Sequence, residues 1–402
     1  MKIVIAGAGI GGLTAALCLH REGHKVELFE AVDELRPLGV GINLMPHSSG
    51  VLHGLGLGDA LDEMAIRTRA IEYRTRFGHL IQSDPRSVEA GFEFPQYSIH
   101  RGELQFLLLD TVRARLGPDA VTSGKIVTGF IQDDDGVRVK FADGTSHGCD
   151  LLIGADGFRS KLRQQLHPDE GPAHYEGTMM WRGANLQAPF ADGRTMFIAG
   201  DHNVKFVCYP ISGRAARDGK ALLNWVAELR QDQPRAAEEA DWTREGGRDF
   251  IARFFDFQMH DIDIAALLRS TRQITQYPMI DRDPLPWWTQ GRVTLLGDAA
   301  HPMYPMGANG ASQAIVDAQA LAAALKAQPG PAGLLAYESV RRPVTTAVVL
   351  SNRETGPERV LDIAAARVKG PDDRIEDLIS PAELEAVAAN YRQVAGFMKK
   401  AI

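Results

Sequence analysis

Three glycine-rich stretches hold the residues whose types and spacing suit chemistry. The first, Gly7-Ala8-Gly9-Ile10-Gly11-Gly12, satisfies G-x-G-x-x-G with Gly7, Gly9 and Gly12. At this spacing the first glycine permits a tight turn, the second lets backbone approach a pyrophosphate, and the third lets a helix pack closely on a strand. The phosphate charge then meets the positive end of that helix. Glu30 closes the next apolar run; a carboxylate there accepts hydrogen bonds from a ribose 2′-OH and disfavours a 2′-phosphate. Together they predict a dinucleotide site. The second stretch is Gly154-Ala155-Asp156-Gly157-Phe158-Arg159-Ser160. Taken alone it reads as a polar turn entering a helix, with Ser160 as the cap. The third, Gly297-Asp298-Ala299-Ala300-His301-Pro302, continues through Pro305, Met306, Gly307, Ala308, Asn309 and Gly310. Asp298 suits a sugar hydroxyl, and amides from Gly307 to Gly310 at a helix start suit a developing negative charge. His301 reads as structural rather than as a base.

Those motifs need particular elements around them. An apolar run at 2–6, a helical pattern at 13–20 and a second run at 26–30 form a strand–turn–helix–strand unit. Gly39, Gly41 and Pro46 predict a long irregular connection after it. Val137, Val139 and Phe141 alternate with Arg138 and Lys140, a half-exposed strand that turns at Asp143-Gly144. The continuous apolar runs 151–153 and 293–296 predict strands buried on both faces. Between them, Trp181, Phe197, Phe206, Tyr209 and Trp225 lie on short strand-like pieces. We read an α/β protein with a Rossmann-like nucleotide-binding domain, an inserted, mainly antiparallel β-sheet substrate domain and a C-terminal helical segment. The expected pieces are 1–72, 99–174 and 277–330 for the first domain, 73–98 and 175–276 for the second, and 331–402 for the helices.

In this order and with these separations, the three motifs resemble those of the FAD-containing aromatic hydroxylases related to salicylate and para-hydroxybenzoate hydroxylases. The resemblance runs from Met1 to about residue 350. Segments 34–43, 96–105, 277–286 and 305–309 resemble the phenazine-modifying members of that family. The resemblance implies FAD, NADH or NADPH as electron donor, O2, and a small aromatic substrate that is a phenol, an aromatic carboxylate or a phenazine. It implies that Gly7, Gly9, Gly12 and Glu30 hold the AMP half of FAD, with Gly11 also cofactor-binding, and that Arg36 and Arg101 contact the flavin side and the pyrophosphate. Asp156 would serve both FAD and the nicotinamide. Asp298 would bind the ribityl chain, and Gly307, Ala308, Asn309 and Gly310 would lie beside the flavin N1–C2 edge. Hydroxylation needs a pocket that keeps water out. Trp181, Tyr209, Met303 and Pro305 are the candidates for its walls, with Tyr209 and Pro305 also considered for catalysis. The Tyr209 phenol would orient substrate or help deprotonate it. Arg182 would grip a carboxylate bidentately; a surface salt bridge is its alternative reading. Two other functions stay open at this point: a flavin reductase or dehydrogenase on the same scaffold, and a flavin-binding sensor.

Composition narrows the partners. The formal charge of −7 and the lack of a basic stripe point away from nucleic acid. Cys18, Cys149 and Cys208 are far apart in sequence, which argues against a disulfide framework or a metal site. No signal peptide and no membrane span is read from the chain, so the cytoplasm is expected. Charge and composition leave monomer and homodimer both open.

Overall fold

The computed structural model describes residues 1–37, 40–86, 88–231, 244–354 and 356–395. Gly39 lies outside the described residues, as do 232–243 of the expected substrate domain and 396–402 of the expected helices. A five-stranded parallel sheet carries the nucleotide motifs, in the order Val293–Leu295, Leu151–Gly154, Lys2–Ala6, Lys25–Phe29, Val121–Thr122. Its central strands are the continuous apolar runs, and Ile3, Ile5, Leu151, Leu152 and Ile153 are wholly buried. Helices cover both faces of such a sheet, which is why these strands do not alternate with polar residues. Helix Ile10–Arg21 packs on helix Gly310–Ala327, bringing the first and third motifs side by side.

The second sheet has seven strands, in the order Thr275–Asp281, His174–Gln187, Ala221–Arg230, Val204–Pro210, Thr195–Gly200, Ala70–Arg74, Leu80–Pro85. All its neighbours are antiparallel except Thr195–Gly200 with Ala70–Arg74. The sheet therefore starts before residue 73 and runs past 276, and Tyr97–His100 leaves it for a small sheet with Gly41–Leu44 and Ile66–Arg67. That small sheet also corrects the expected irregular connection after Glu30. Gly41–Leu44 is a strand, and Pro46 starts helix Pro46–Gly54, where its missing N–H has no helical partner to lose. One face of the seven-stranded sheet is filled by Phe197, Phe206, Trp225, Phe250 and Phe254. The other face meets Tyr304 and Met306 of the third motif.

Candidate functional site

At the carboxyl end of strand Lys2–Ala6 the chain turns at Gly7 with φ +104°. A Cβ there would lie 2.3 Å from the Ala155 carbonyl oxygen, so the first and second motifs touch through backbone. Gly12 is equally closed, with an added Cβ 2.1 Å from the Gly7 oxygen. Gly11 is needed for helix packing. Its Cα looks onto Leu296 and Ala314, because the first helix crosses the third motif's helix at that point. Gly9 is the open position: an added Cβ meets no protein atom within 4 Å. Helix Ile10–Arg21 has no side-chain cap and no acidic residue in its first turn, so its free amides and positive end are left for an anion. Glu30 accepts the Ala8 amide at 2.7 Å and the Val32 amide at 3.1 Å, which holds its carboxylate against the turn. An open backbone cradle at an uncapped helix with a carboxylate beside it fits the pyrophosphate and ribose of FAD. Gly9→Ala should leave the unfolding temperature of the apoprotein unchanged, since φ is −74° and the methyl meets nothing. FAD affinity, read by flavin fluorescence, should fall about tenfold, or about 1.4 kcal/mol. Unaltered binding would place the pyrophosphate elsewhere.

Helix Arg101–Leu116 lies beside this turn, tied by the Gln105 amide donating to the Ala8 carbonyl at 2.9 Å. Gly102 is so close to Pro37 that a Cβ would fall 2.5 Å from its backbone, which brings the Arg36 and Arg101 segments together. Arg101 is exposed. Arg36 does not reach into the site: its guanidinium pairs with the neighbouring Glu34 at 2.7 and 3.0 Å in an exposed loop. In the second motif Ser160 caps helix Lys161–Leu166, accepting the Arg163 amide at 2.9 Å. Asp156 accepts the Lys161 amide at 2.7 Å through one oxygen, while its other oxygen is buried with no partner among the described residues. Burial pushes this carboxyl up, against the hydrogen bonds from Ser160 and the backbone. A half-satisfied buried carboxylate awaits a donor.

Arg163, from the same short helix, donates to the carbonyls of Ala299 and Ala300 at 3.1 and 2.9 Å, clamping the third motif to the second. Beyond that clamp Asp298 is exposed, with its carboxylate near the start of helix Gly310–Ala327. That helix also lacks a side-chain cap. Ahead of it Gly307 and Ala308 have φ of +63° and +56°. Two successive left-handed residues, one of them alanine, form a strained turn that the surroundings must hold. The Pro305 carbonyl closes it by accepting the Ala308 amide at 2.9 Å. The Pro305 ring is exposed, and a ring without a titratable group offers no proton, so its place is in shaping this turn.

The seven-stranded sheet presents Met180, Arg182, Val207, Tyr209, Val226 and Tyr277 toward the same turn. Trp181 is not among them. Side chains alternate along a strand, and Trp181 points to the opposite face, stacked on Phe250 with ring centroids 4.8 Å apart. Met303 packs with Met45, Phe92 and Val348 in a separate cluster and not with Tyr209. Arg182 is no surface salt bridge. It donates to the Gly41 carbonyl at 2.7 Å and the Tyr277 hydroxyl at 3.2 Å, both uncharged, and its Nε is buried without a partner among the described residues. Burial pushes the Tyr209 phenol up to about 12, although Arg182 beside it works the other way. The Tyr209 phenol is therefore neutral near pH 7.

Sequence reading missed two groups. Asp317, wholly buried, accepts from the Gly297 amide at 3.1 Å, His301 at 2.6 Å and Arg341 at 2.6 Å. Burial pushes its carboxyl up, but His301 and Arg341 outweigh it and hold it at about 2. The signal was present: Asp317 is the single charge in the apolar stretch Ala314 to Ala322. Lys205 is likewise the single charge in strand Val204–Pro210 and is buried against Glu228 and Glu358.

Comparison with known proteins places the chain in a family. The family model described as FAD binding domain matches residues 1–352. Phenazine 1,6-dicarboxylic acid hydroxylase PhzS of Lysobacter antibioticus is 44% identical over 98% of this chain and 96% of its own. Salicylate hydroxylase of Pseudomonas putida is 31% identical over 89% and 85%. Among solved structures, Klebsiella pneumoniae HpxO complexed with FAD and uric acid superposes with a TM-score of 0.74 at 25% identity, covering 98% of this chain and 93% of that one.

Proposed function

Because this chain belongs to the FAD-binding-domain family and is an FAD-dependent aromatic monooxygenase, we propose that its substrate is an aromatic carboxylate of the phenazine type, held through its carboxylate by Arg182. The observation that carries this reading is a guanidinium on the sheet face whose hydrogen-bond partners, the Gly41 carbonyl and the Tyr277 hydroxyl, are neutral and whose Nε is buried without a partner among the described residues, with Glu228 as its carboxylate neighbour. A buried charge is stable when paired, and a planar fork of donors matches a carboxylate. The relatives support the class: phenazine 1,6-dicarboxylic acid hydroxylase and salicylate hydroxylase act on aromatic acids. The identity of 44% to the former favours a fused-ring acid over a single ring, and 5-methylphenazine-1-carboxylate is the candidate that the sequence resemblance singles out.

Bound FAD supplies the redox chemistry, with electrons from NADH or NADPH and an oxygen atom from O2. This chain's residues do the rest. Gly9 and the helix Ile10–Arg21 hold the pyrophosphate, Glu30 the ribose, and Asp298 the ribityl hydroxyls. The uncapped start of helix Gly310–Ala327 stabilises negative charge at the flavin N1–C2 edge. Met180, Val207 and Val226 exclude water, and Tyr209 donates to a ring substituent. The protein works in the cytoplasm, where its three free cysteines stay reduced. Anaerobic reduction of the flavin by NADH or NADPH tests the reading. A phenazine carboxylate should accelerate it at least tenfold, and salicylate or an uncharged phenazine less. A rate indifferent to every aromatic acid would instead favour a flavin reductase.

A further inference from the structure

We propose that Asn224 is a specificity-determining residue whose side-chain amide donates to a ring nitrogen of the substrate, so that the site takes aromatic acids with a nitrogen lone pair beside the carboxylate. Strand Gly41–Leu44 meets the seven-stranded sheet at Gly41, where an added Cβ would fall 2.6 Å from Ile211 and 2.8 Å from Asn224 and Tyr209. Two side chains of the sheet grip this one residue. The Asn224 oxygen accepts the Gly41 N–H at 2.7 Å, and Arg182 donates to the Gly41 carbonyl at 2.7 Å. The first bond fixes how the amide is turned, because only its oxygen can accept. Nδ2 is thereby directed away from Gly41. It is buried with no hydrogen-bond partner among the described residues, on a wholly buried side chain. Arg182 Nε is in the same condition. Asn224 stands opposite Tyr209 on one neighbouring strand and opposite Ala184, two residues from Arg182, on the other. Alternation along the strands therefore puts Asn224, Tyr209 and Arg182 on one face. Two unspent donors, one charged and one neutral, thus lie around the same residue. A buried donor without an acceptor costs free energy that a ligand can recover. The charged one suits a carboxylate. The neutral one suits a neutral acceptor, and a phenazine-type acid carries one in the plane of its rings, the nitrogen peri to the carboxylate. A ring C–H at that place leaves the amide unpaired.

The inference rests on the preceding reading that Arg182 takes the substrate's carboxylate. The probes are phenazine-1-carboxylate and anthracene-1-carboxylate, which share an outline and differ by C–H in place of each ring nitrogen. Their affinities for the FAD-loaded enzyme are read from the shift of the visible flavin absorption. The unaltered protein should bind the phenazine acid at least about twentyfold more tightly, since the anthracene leaves the Asn224 donor unpaired. Asn224→Asp keeps the shape of the side chain and an oxygen for the Gly41 N–H but puts an acceptor where the donor was. The preference should then fall below about threefold. A residue that only anchors Gly41 would move both affinities together and leave their ratio unchanged. Equal affinities in the unaltered protein overturn the inference and assign the donor to a buried water. A preference that survives Asn224→Asp overturns it as well, and should that variant not fold, the ratio in the unaltered protein decides alone. Anthracene-1-carboxamide separates the two readings, because it lacks both the charge and the nitrogen. If it binds as tightly as anthracene-1-carboxylate, the Arg182 reading falls, whatever the ring nitrogen does.

Discussion

Replacing Arg182 with methionine is expected to lower kcat/KM for the aromatic acid by about 10²–10³-fold, the equivalent of about 3–4 kcal/mol. Methionine keeps the length and apolar character of the side chain but removes the donors that Gly41, Tyr277 and the substrate share. The loss should fall mainly on substrate binding and on substrate-stimulated flavin reduction. Reduction without substrate should stay within about twofold, because Arg182 is not part of the FAD cradle. The decisive comparison uses the carboxamide of the same ring. The unaltered enzyme should discriminate strongly between acid and amide, and the variant hardly at all. An Arg182→Met enzyme that loses both substrates equally would mean that the guanidinium supports the pocket wall and does not read charge.

Asp317→Asn should destabilise the protein by about 3–5 kcal/mol at pH 7, the usual cost of breaking a buried charged network from one side. Arg341 and His301 would then face a neutral amide, and the Gly297 turn that presents Asp298 would lose its anchor. The pH dependence has a definite sign. Asp317 is held at about 2 in the folded protein, below the value near 3.9 of an unfolded chain. Its contribution is therefore complete above about pH 4 and disappears as the pH falls through 2. Urea midpoints should differ most between the two proteins at neutral pH and converge between pH 4 and 2. A gap that stays constant over that range would show that the carboxylate's charge is not what stabilises the fold.

The parts legible in the sequence were those whose chemistry is local. Gly7, Gly9 and Gly12 announce a turn, a cradle and a close packing within six residues, and the structure gives each the geometry its spacing implies. Uninterrupted apolar runs marked the parallel strands for the same reason, since burial on both faces leaves no place for polar residues. What stayed hidden depended on register. Whether Trp181 or Arg182 faces the site is decided by pairing with Ala227 and Val226 on a strand more than forty residues away. Shifting that pairing by one residue exchanges the two faces. The packing task of Gly11 stayed hidden because its neighbour Ala314 lies three hundred residues on, in a helix whose packing no local pattern predicts. Lys205 and Asp317 were visible as isolated charges in apolar runs, but their partners are reached only through the fold.

The two faces of the seven-stranded sheet also separate two kinds of mutational freedom. Trp225, Phe206 and Phe250 pack on one side, while Met180, Val207 and Val226, their neighbours in sequence or across strands, pack on the other, the side proposed to face the substrate. Because alternate positions on the same strands answer to different tasks, single substitutions on the chamber side can move substrate preference from one ring system to another without disturbing the aromatic layer behind. Such an architecture lends itself to diversification, and a focused library at those three positions, each buried and so limited to apolar side chains of similar size, would explore new aromatic acids.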